Sequence, residues 1–401
     1  MQKNKQRGIT LIALVVTIII LIILAGVSIQ MIVGEDGLIT MAKNAKENTG
    51  LAEIQEEKGM NELTKDMNNY VPMKVAEARQ KGEFFYEDTL LEDDLGNRLK
   101  VPNGFKVASD SATKVEDGVV IEDSDGNQYV WIPAKTGEGI IIHTTVGNRR
   151  MIYTRVVYSK NIPTEEIDEE TNSKKIIHSD TINHYYTQAM SSDEEKSVDA
   201  NGGYYIGRYE AGDKESTEAK KMRTATSNQE NTITIKKGQA PYNYVTYTNA
   251  KKLAENMGTV QEYTTTETKL PSSYAWDTAI SLIQIKNNDY GQVSEEGNYK
   301  DTTFSYIDVA GTEQIKEIKE PGVVVTTGQT IAVSNIYDLG GNMREYTTEE
   351  YSDETLPVTD RGGYFNCNSF DFAAGYRDYN DGTGADKYGM RVALYFKVEN
   401  E

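Results

Sequence analysis

Cysteine is nearly absent from this chain: there is one, Cys367, in 401 residues. An internal disulfide is therefore excluded, and the fold must stand on its core. Histidine is almost as scarce. His143, His178 and His184 give little with which to build a zinc site or a Ser-His centre, and surface or loop histidines are the simpler reading. Positive charge is short as well, with 42 Lys and Arg against 62 Asp and Glu and a formal net charge of −20. Such a chain repels nucleic acid, and no basic patch offsets the deficit. From Ile9 to Gly34 charge of either sign is missing altogether.

That uncharged run organises the rest. Residues 9–33 are Leu, Ile, Val and Ala with a few small polar residues. As a helix rising about 1.5 Å per residue they span a bilayer core of about 30 Å. Thr10, Thr17 and Ser28 can return their hydroxyls to the helix backbone. Lys3, Lys5 and Arg7 precede the run and place the N-terminus on the cytoplasmic side. The apolar core is longer than that of a cleaved signal peptide, about 7 to 15 residues. A short basic leader ending in Gly8 just before Ile9 resembles the leader of type IV pilins and pseudopilins. The resemblance implies cleavage after Gly8 by a prepilin peptidase, methylation of Ile9, and other pilins as partners. Pilins usually carry Glu as the fifth mature residue, and here that position is Ala13. This departure favours a minor or tip subunit, or a protein that stays in the membrane, over a bulk fibre subunit. A plain signal anchor is the alternative.

The chain then reads as a leader (1–8), a transmembrane helix (9–33), a polar helical stalk (34–80), a linker with first strands (81–126) and a large domain (127–398). In the stalk, Leu51, Ile54, Met60, Leu63 and Met67 recur every three to four residues or so, while Gly50 and Gly59 weaken the helix. Residues 101–107 (VPNGFKV) read as strand and turn, 118–121 as a strand, and 127–133 (NQYVWIP) as a strand with Trp131 buried. The charged runs TEEIDEETNSKK (164–175) and SSDEEKS (191–197) read as surface loops. Residues 243–247 (NYVTY) are strand-like and lead into a helix capped by Thr248 and stopped by Gly258. A second helix starts after Pro271 with Ser272 or Ser273 as cap. GMRVALYF (389–396) closes the chain as a strand.

The order of these motifs resembles the formylglycine-generating-enzyme, or sulfatase-modifying-factor, family, a branch of the C-type-lectin fold. The landmarks are YVWIP (129–133), YYIGRYEA (204–211), LPSSYAWDTA (270–279), NIYDLGGNMREY (335–346), RGGYF (361–365) and GMRVA (389–393). Each is weak alone, and six in order are strong. The fold class expected is thus α+β: a pilin-like helix followed by a lectin-fold domain. Trp131 and Trp276 read as core aromatics. Gly340 and Gly341 mark a turn that a side chain would block. By the resemblance that turn holds calcium, through the carboxylates of Asp338 and Glu345 and the carbonyls of Gly341 and Met343. The alternative is that Asp338 caps the turn and Glu345 pairs with a core arginine.

The family's oxidising members use two cysteines after R-G-G. Cys367 stands at the first position and Phe372 at the second, so the thiolate pair that binds copper is missing. The resemblance therefore implies a domain that is not an enzyme. Residues 364–382 (YFNCNSFDFAAGYRDYNDG) contain no Lys, Glu, Gln, Met or Trp. All their residue types are reachable by randomising the first two bases of an Asn codon. The stretch resembles the variable region of lectin-fold proteins diversified by retroelements; an ordinary binding or surface loop is the other reading. Either way its chemistry is that of a paratope, with Tyr and Phe for rigid contact area and Asn, Ser and Asp for adaptable hydrogen bonds. The expected contact set is Tyr364, Asn366, Asn368, Phe370, Asp371, Phe372, Tyr376, Asp378, Tyr379 and Asn380. The functional expectation is a single-pass membrane protein that presents this domain outside the cell to an external protein or glycan. A structural tip subunit without a ligand is the first alternative, and a formylglycine-type oxidase the second.

Overall fold

The computed structural model describes residues 11–33, 46, 49, 72–156, 158, 165–168, 173–176, 186–187, 190–214, 233–308, 310–318 and 321–398. Gly8 and Ile9 lie outside the described residues, as does nearly all of 34–71. The chain divides into two compact units, Met1–Val71 and Pro72–Glu401.

In the first unit, α1 (Leu11–Val33) is helical over 23 residues. Its side chains are described for 14–25, and from Leu14 to Leu24 the large hydrophobic ones are all exposed. Within the described residues no helix is long and apolar enough to cross a membrane. Anchoring in a bilayer therefore rests on the sequence alone.

The second unit mixes helices and sheets. Among the described residues its α-helices are α2 (Val75–Lys81), α3 (Ser192–Asn201), α4 (Tyr247–Val260) and α5 (Ser273–Ile283). The strands of its two larger sheets are β1 (Lys106–Val107), β2 (Val120–Glu122), β3 (Gln128–Pro133), β4 (Tyr186–Thr187), β5 (Gly203–Gly207), β6 (Thr266–Lys269), β7 (Arg344–Tyr351), β8 (Val358–Arg361), β9 (Arg377–Asn380), β10 (Tyr388–Met390) and β11 (Ala393–Phe396). One sheet has six strands in the order β6-β11-β5-β3-β2-β1. The other has five, β4-β7-β8-β9 with β10 parallel to β7.

The six-stranded sheet is buried on both faces. In β3, Tyr129 and Trp131 pack into one apolar cluster and Val130 and Ile132 into the other, as the two-residue period requires. That is why YVWIP (129–133) reads as an unbroken apolar run. Tyr204, Ile206 and α5 join the second cluster. Ser272 caps α5 by accepting from the Ala275 N–H, and every residue from Ala275 to Ile283 is buried.

Several local expectations change. Residues 191–197 are no loop: Ser191 caps α3, and Asp193, Glu194 and Glu195 complement the dipole of its first turn. Glu165–Asp168 pairs antiparallel with Ser173–Ile176, so 164–175 holds a hairpin. NYVTY is no strand, since Tyr244 sits at φ 53 and its N–H is tied to Ala385 O. The cap of α4 is Thr246, two residues ahead of Thr248, and Gly258 lies inside the helix. The segment read as stalk end and linker is well structured. Val75 and Ala78 of α2 are buried, and Thr89–Glu92 pairs with Arg98–Val101. That hairpin turns on Asp93, whose Oδ1 accepts from Leu95 N and Asn97 N and whose Oδ2 accepts from Asn97 Nδ2. Asp123 repeats this scheme with Asp125 and Asn127 in the turn from β2 to β3.

Candidate functional site

The loop between β8 and β9 begins after Arg361 and ends before Arg377. Both arginines turn inward, onto the same two acids. Arg361 Nη2 meets Asp277 Oδ1 at 2.5 Å and its Nη1 meets Glu349 Oε2 at 3.4 Å. Arg377 Nη2 meets Asp277 Oδ2 at 2.5 Å and its Nε donates to Glu349 Oε1 at 3.0 Å. Arg155 adds a third guanidinium, with Nη2 at 2.7 Å from Glu349 Oε1. Every member of this clamp is buried. Asp277 comes from α5 and Glu349 from β7, so a helix and a strand of the scaffold hold both feet of the loop.

The loop is also fixed along its length. Ser369 N donates to Asp301 Oδ1 at 2.9 Å, Tyr299 Oη to Phe372 O at 2.8 Å, and Trp276 Nε1 to Ala374 O at 2.8 Å. A Cβ on Gly363 would lie 2.3 Å from Phe372 O, so the second glycine of R-G-G is needed for the loop to close on itself.

Beneath the loop sits Arg344. Its guanidinium carbon lies 5.2, 5.5 and 5.8 Å from the ring centres of Tyr364, Phe372 and Tyr376. Its Nη1 pairs with Asp378 and stands 3.5 Å from Asp360. Its Nη2 is 4.0 Å from Cys367 Sγ. Cys367 is buried, and burial pushes its thiol pKa up. The Phe372 ring packs edge-on to Tyr376 at 4.9 Å.

The expected contact residues therefore divide. Phe370, Asp371 and Tyr379 are exposed. Tyr364, Asn366, Asn368, Phe372, Tyr376 and Asp378 are half-buried, and much of their chemistry is spent inside the fold. Asn366 Oδ1 accepts from Gly322 N, and Asn368 Nδ2 donates to Asp371 Oδ2. Asn380 was expected on the surface but is buried: its Nδ2 donates to Asp360 Oδ2 at 2.7 Å and its Oδ1 accepts from Gly382 N. Tyr379 begins a row of rings, stacked on Tyr351 at 4.0 Å, with Tyr186 a further 5.0 Å along.

The expected calcium turn is formed as a turn. A Cβ on Gly341 (φ +80) would lie 2.6 Å from Asn298 O, and one on Gly340 2.8 Å from Ser294 Cβ. Its acids are engaged by protein donors. Arg391 spans Glu345, Nε to Oε2 at 2.9 Å and Nη2 to Oε1 at 2.7 Å. Asp338 accepts from Gly328 N at 2.7 Å and from Thr330 Oγ1 at 2.6 Å. Glu210 lies alongside and accepts from Met343 N and Asn342 Nδ2. Among the described residues no three His, Cys, Asp or Glu side chains are placed to hold a metal. Asp338, Gly341, Met343 and Glu345 as arranged do not fit a calcium shell, because both carboxylates are already engaged and Arg391 brings the positive charge.

The clamp was not foreseen from the sequence. Its one visible sign was Asp277, an acid on a helix otherwise fit for a core.

The family described as "Sulfatase-modifying factor enzyme 1-like domain" matches residues 141–395. No curated protein matches the chain. Among solved structures, PvdO from Pseudomonas aeruginosa is similar at 12% identity and a TM-score of 0.38, over 70% of this chain and 98% of that one. CarF is similar at 14% identity and a TM-score of 0.33, over 49% and 87%. Treponema denticola variable protein 1 is similar at 10% identity and a TM-score of 0.32, over 67% and 95%.

Proposed function

We propose that this chain, which belongs to the sulfatase-modifying factor enzyme 1-like domain family, uses that domain to bind rather than to catalyse. In this reading the domain has a C-type-lectin fold, and its 364–382 loop meets an external protein or glycan. The observation that carries the reading is the content of the space beside Cys367. The oxidases of this family need a second thiol, and here Phe372 stands at that position of the sequence while the guanidinium of Arg344 lies 4.0 Å from Cys367 Sγ and 5.5 Å from the Phe372 ring. One buried thiol whose pKa is raised cannot cycle with a disulfide. What remains is a loop held at both feet and faced with Phe370, Asp371 and Tyr379. Such pre-organisation favours binding, because little entropy is lost when a ligand arrives.

The anchor belongs to the same reading. A helix apolar on every side needs lipid or other helices around it, and the described side chains of α1 are exposed in the first unit. With the Gly8-Ile9 leader, this supports a pilin-like surface protein cut by prepilin peptidase, inserted in the membrane and presenting its domain outside.

The test is adhesion of cells carrying Phe370→Ala and Tyr379→Ala to candidate partner cells. Loss of adhesion with unchanged surface level supports the reading. Unchanged adhesion favours a structural tip subunit. Copper-dependent oxidation of a cysteine peptide by the purified protein would overturn the non-catalytic part. Sequencing codons 364–382 across one strain tests diversification: a uniform sequence with no template copy nearby removes it.

A further inference from the structure

Away from the loop, a crevice of about 480 Å³ lies among α3, α4, β6 and β7. Glu194 lines it although that residue is only 3% exposed. Three hydroxyls converge on one of its oxygens. Tyr153 Oη and Ser272 Oγ donate to Oε1, the latter at 2.5 Å, and Tyr395 Oη lies 3.2 Å away. With Oε1 saturated, Oε2 is the oxygen left for a ligand. A carboxylate this deep is costly without a full positive charge beside it, and hydroxyls supply only part of that.

The same crevice carries cations. Lys269 Nζ stands 4.9 Å over the ring of Tyr395, the tyrosine whose hydroxyl reaches Glu194. One residue thus brings a fixed anion and a cation within a short ligand's length of each other. Lys251 stands on the α4 wall. These lysines pair only with exposed acids, Lys269 with Glu267 at 2.7 Å and Lys251 with Glu255 at 4.0 Å, and such surface pairs are weak enough to yield to a better carboxylate.

We propose that this crevice binds a small zwitterion with a primary ammonium and a carboxylate, a free α-amino acid. The ammonium sits on Glu194 Oε2 and the carboxylate on Lys269 and Lys251. The volume suits a ligand of that size rather than a polymer. Glu194, Glu255 and Glu350 outnumber the two lysines, which disfavours a simple anion. This site is independent of the loop reading, and its failure would leave that reading untouched.

Calorimetry on the full-length protein tests it, titrating free amino acids and, for any that binds, the corresponding amino-acid amide. At least one amino acid should bind with a Kd between about 10 μM and 1 mM, and its amide at least about tenfold more weakly. Glu194→Gln should abolish binding of both. Lys269→Gln, a change at a half-buried rim residue, should erase the difference between acid and amide. The proposal is overturned if no amino acid binds, if acid and amide bind alike in the unaltered protein, or if Lys269→Gln keeps the preference.

Discussion

Two buried charge clusters sit in one domain with opposite imbalances. The clamp under the loop sets three guanidiniums, Arg155, Arg361 and Arg377, against two carboxylates, Asp277 and Glu349. The cluster at the glycine turn sets three carboxylates, Glu210, Asp338 and Glu345, against the guanidinium of Arg391. Burial alone would push every carboxyl upward. In the clamp that push is outweighed by Arg377, Arg361 and Arg155, and Glu349 is held below its usual range. In the turn burial wins: Glu345 is pushed up to about 7 in spite of Arg391, and Glu210 goes well above the usual range with Asp338 and Glu345 adding to the push. Equal burial thus goes with opposite pKa shifts, decided by which charge is in excess.

The largest way to break the contrast is to remove an anion from the clamp. Asp277→Asn leaves Arg361 and Arg377 facing each other without the shared acid. The expected loss is about 3–5 kcal/mol in chemical denaturation, as for other buried pairs deprived of one partner. A loss under about 1 kcal/mol would mean that the clamp does not hold the feet of the loop. Glu210→Gln should act in the other sense. A carboxyl whose folded pKa is raised gives stability that is full below its unfolded pKa, near 4.5, and is lost as pH rises through the folded value. Between pH 5 and pH 8 the glycine-turn cluster therefore destabilises increasingly, Glu345 by on the order of 2 kcal/mol. Glu349, lowered, contributes stability that is lost only as pH falls below the ordinary range, so it is silent in that window. Relative to the unaltered protein, Glu210→Gln should gain stability from pH 5 to pH 8. A difference that stays flat across the window would refute the assignment.

The two clusters also differ in how well the sequence announced them. Asp338 and Glu345 lie in one short motif, and a turn cap by Asp338 with Glu345 paired to a core arginine was an open alternative. The clamp joins residues 84 and 100 positions apart, Asp277 with Arg361 and with Arg377, and no local period encodes that. Strands such as YVWIP and the helix after Ser272 were legible because apolar period and cap agree over a few residues. The cap of α4 was misplaced because Thr246 and Thr248 both stand at the helix start, Thr248 already inside it, and only the bond from Asn249 N to Thr246 Oγ1 decides between them. Asn380 was misread because composition marks a loop as polar without saying which side chain turns inward to Asp360.

That division bears on the loop surface. Phe370 and Tyr379 are its exposed aromatics, at 51% and 41%. Alanine at Phe370 should change stability by no more than about 0.5 kcal/mol, and at Tyr379 by about 0.5–1 kcal/mol for the lost stack on Tyr351, so a loss of adhesion at unchanged surface level can be read as lost contact. Phe372→Ala and Tyr376→Ala would remove two faces of the Arg344 cage and should cost about 1–2 kcal/mol in the same assay. Equal costs for the exposed and the caged pairs would dissolve the distinction between platform and support.

The smallest expected effect concerns the glycine turn and calcium. A cation bound only by the native state stabilises it by RT ln(1 + [L]/Kd), about 2.7 kcal/mol at one hundred times Kd. At this turn both oxygens of Glu345 are spanned by Arg391, and Asp338 is held by Gly328 and Thr330. A calcium ion would have to displace the guanidinium, which would then stay buried without its acid, at a cost that exceeds the gain. Melting in millimolar calcium and in chelator should therefore agree within about 1 °C. A rise of several degrees with calcium would show that Glu345 leaves Arg391 for the ion, and the contrast between the clusters would then hold only for the metal-free protein.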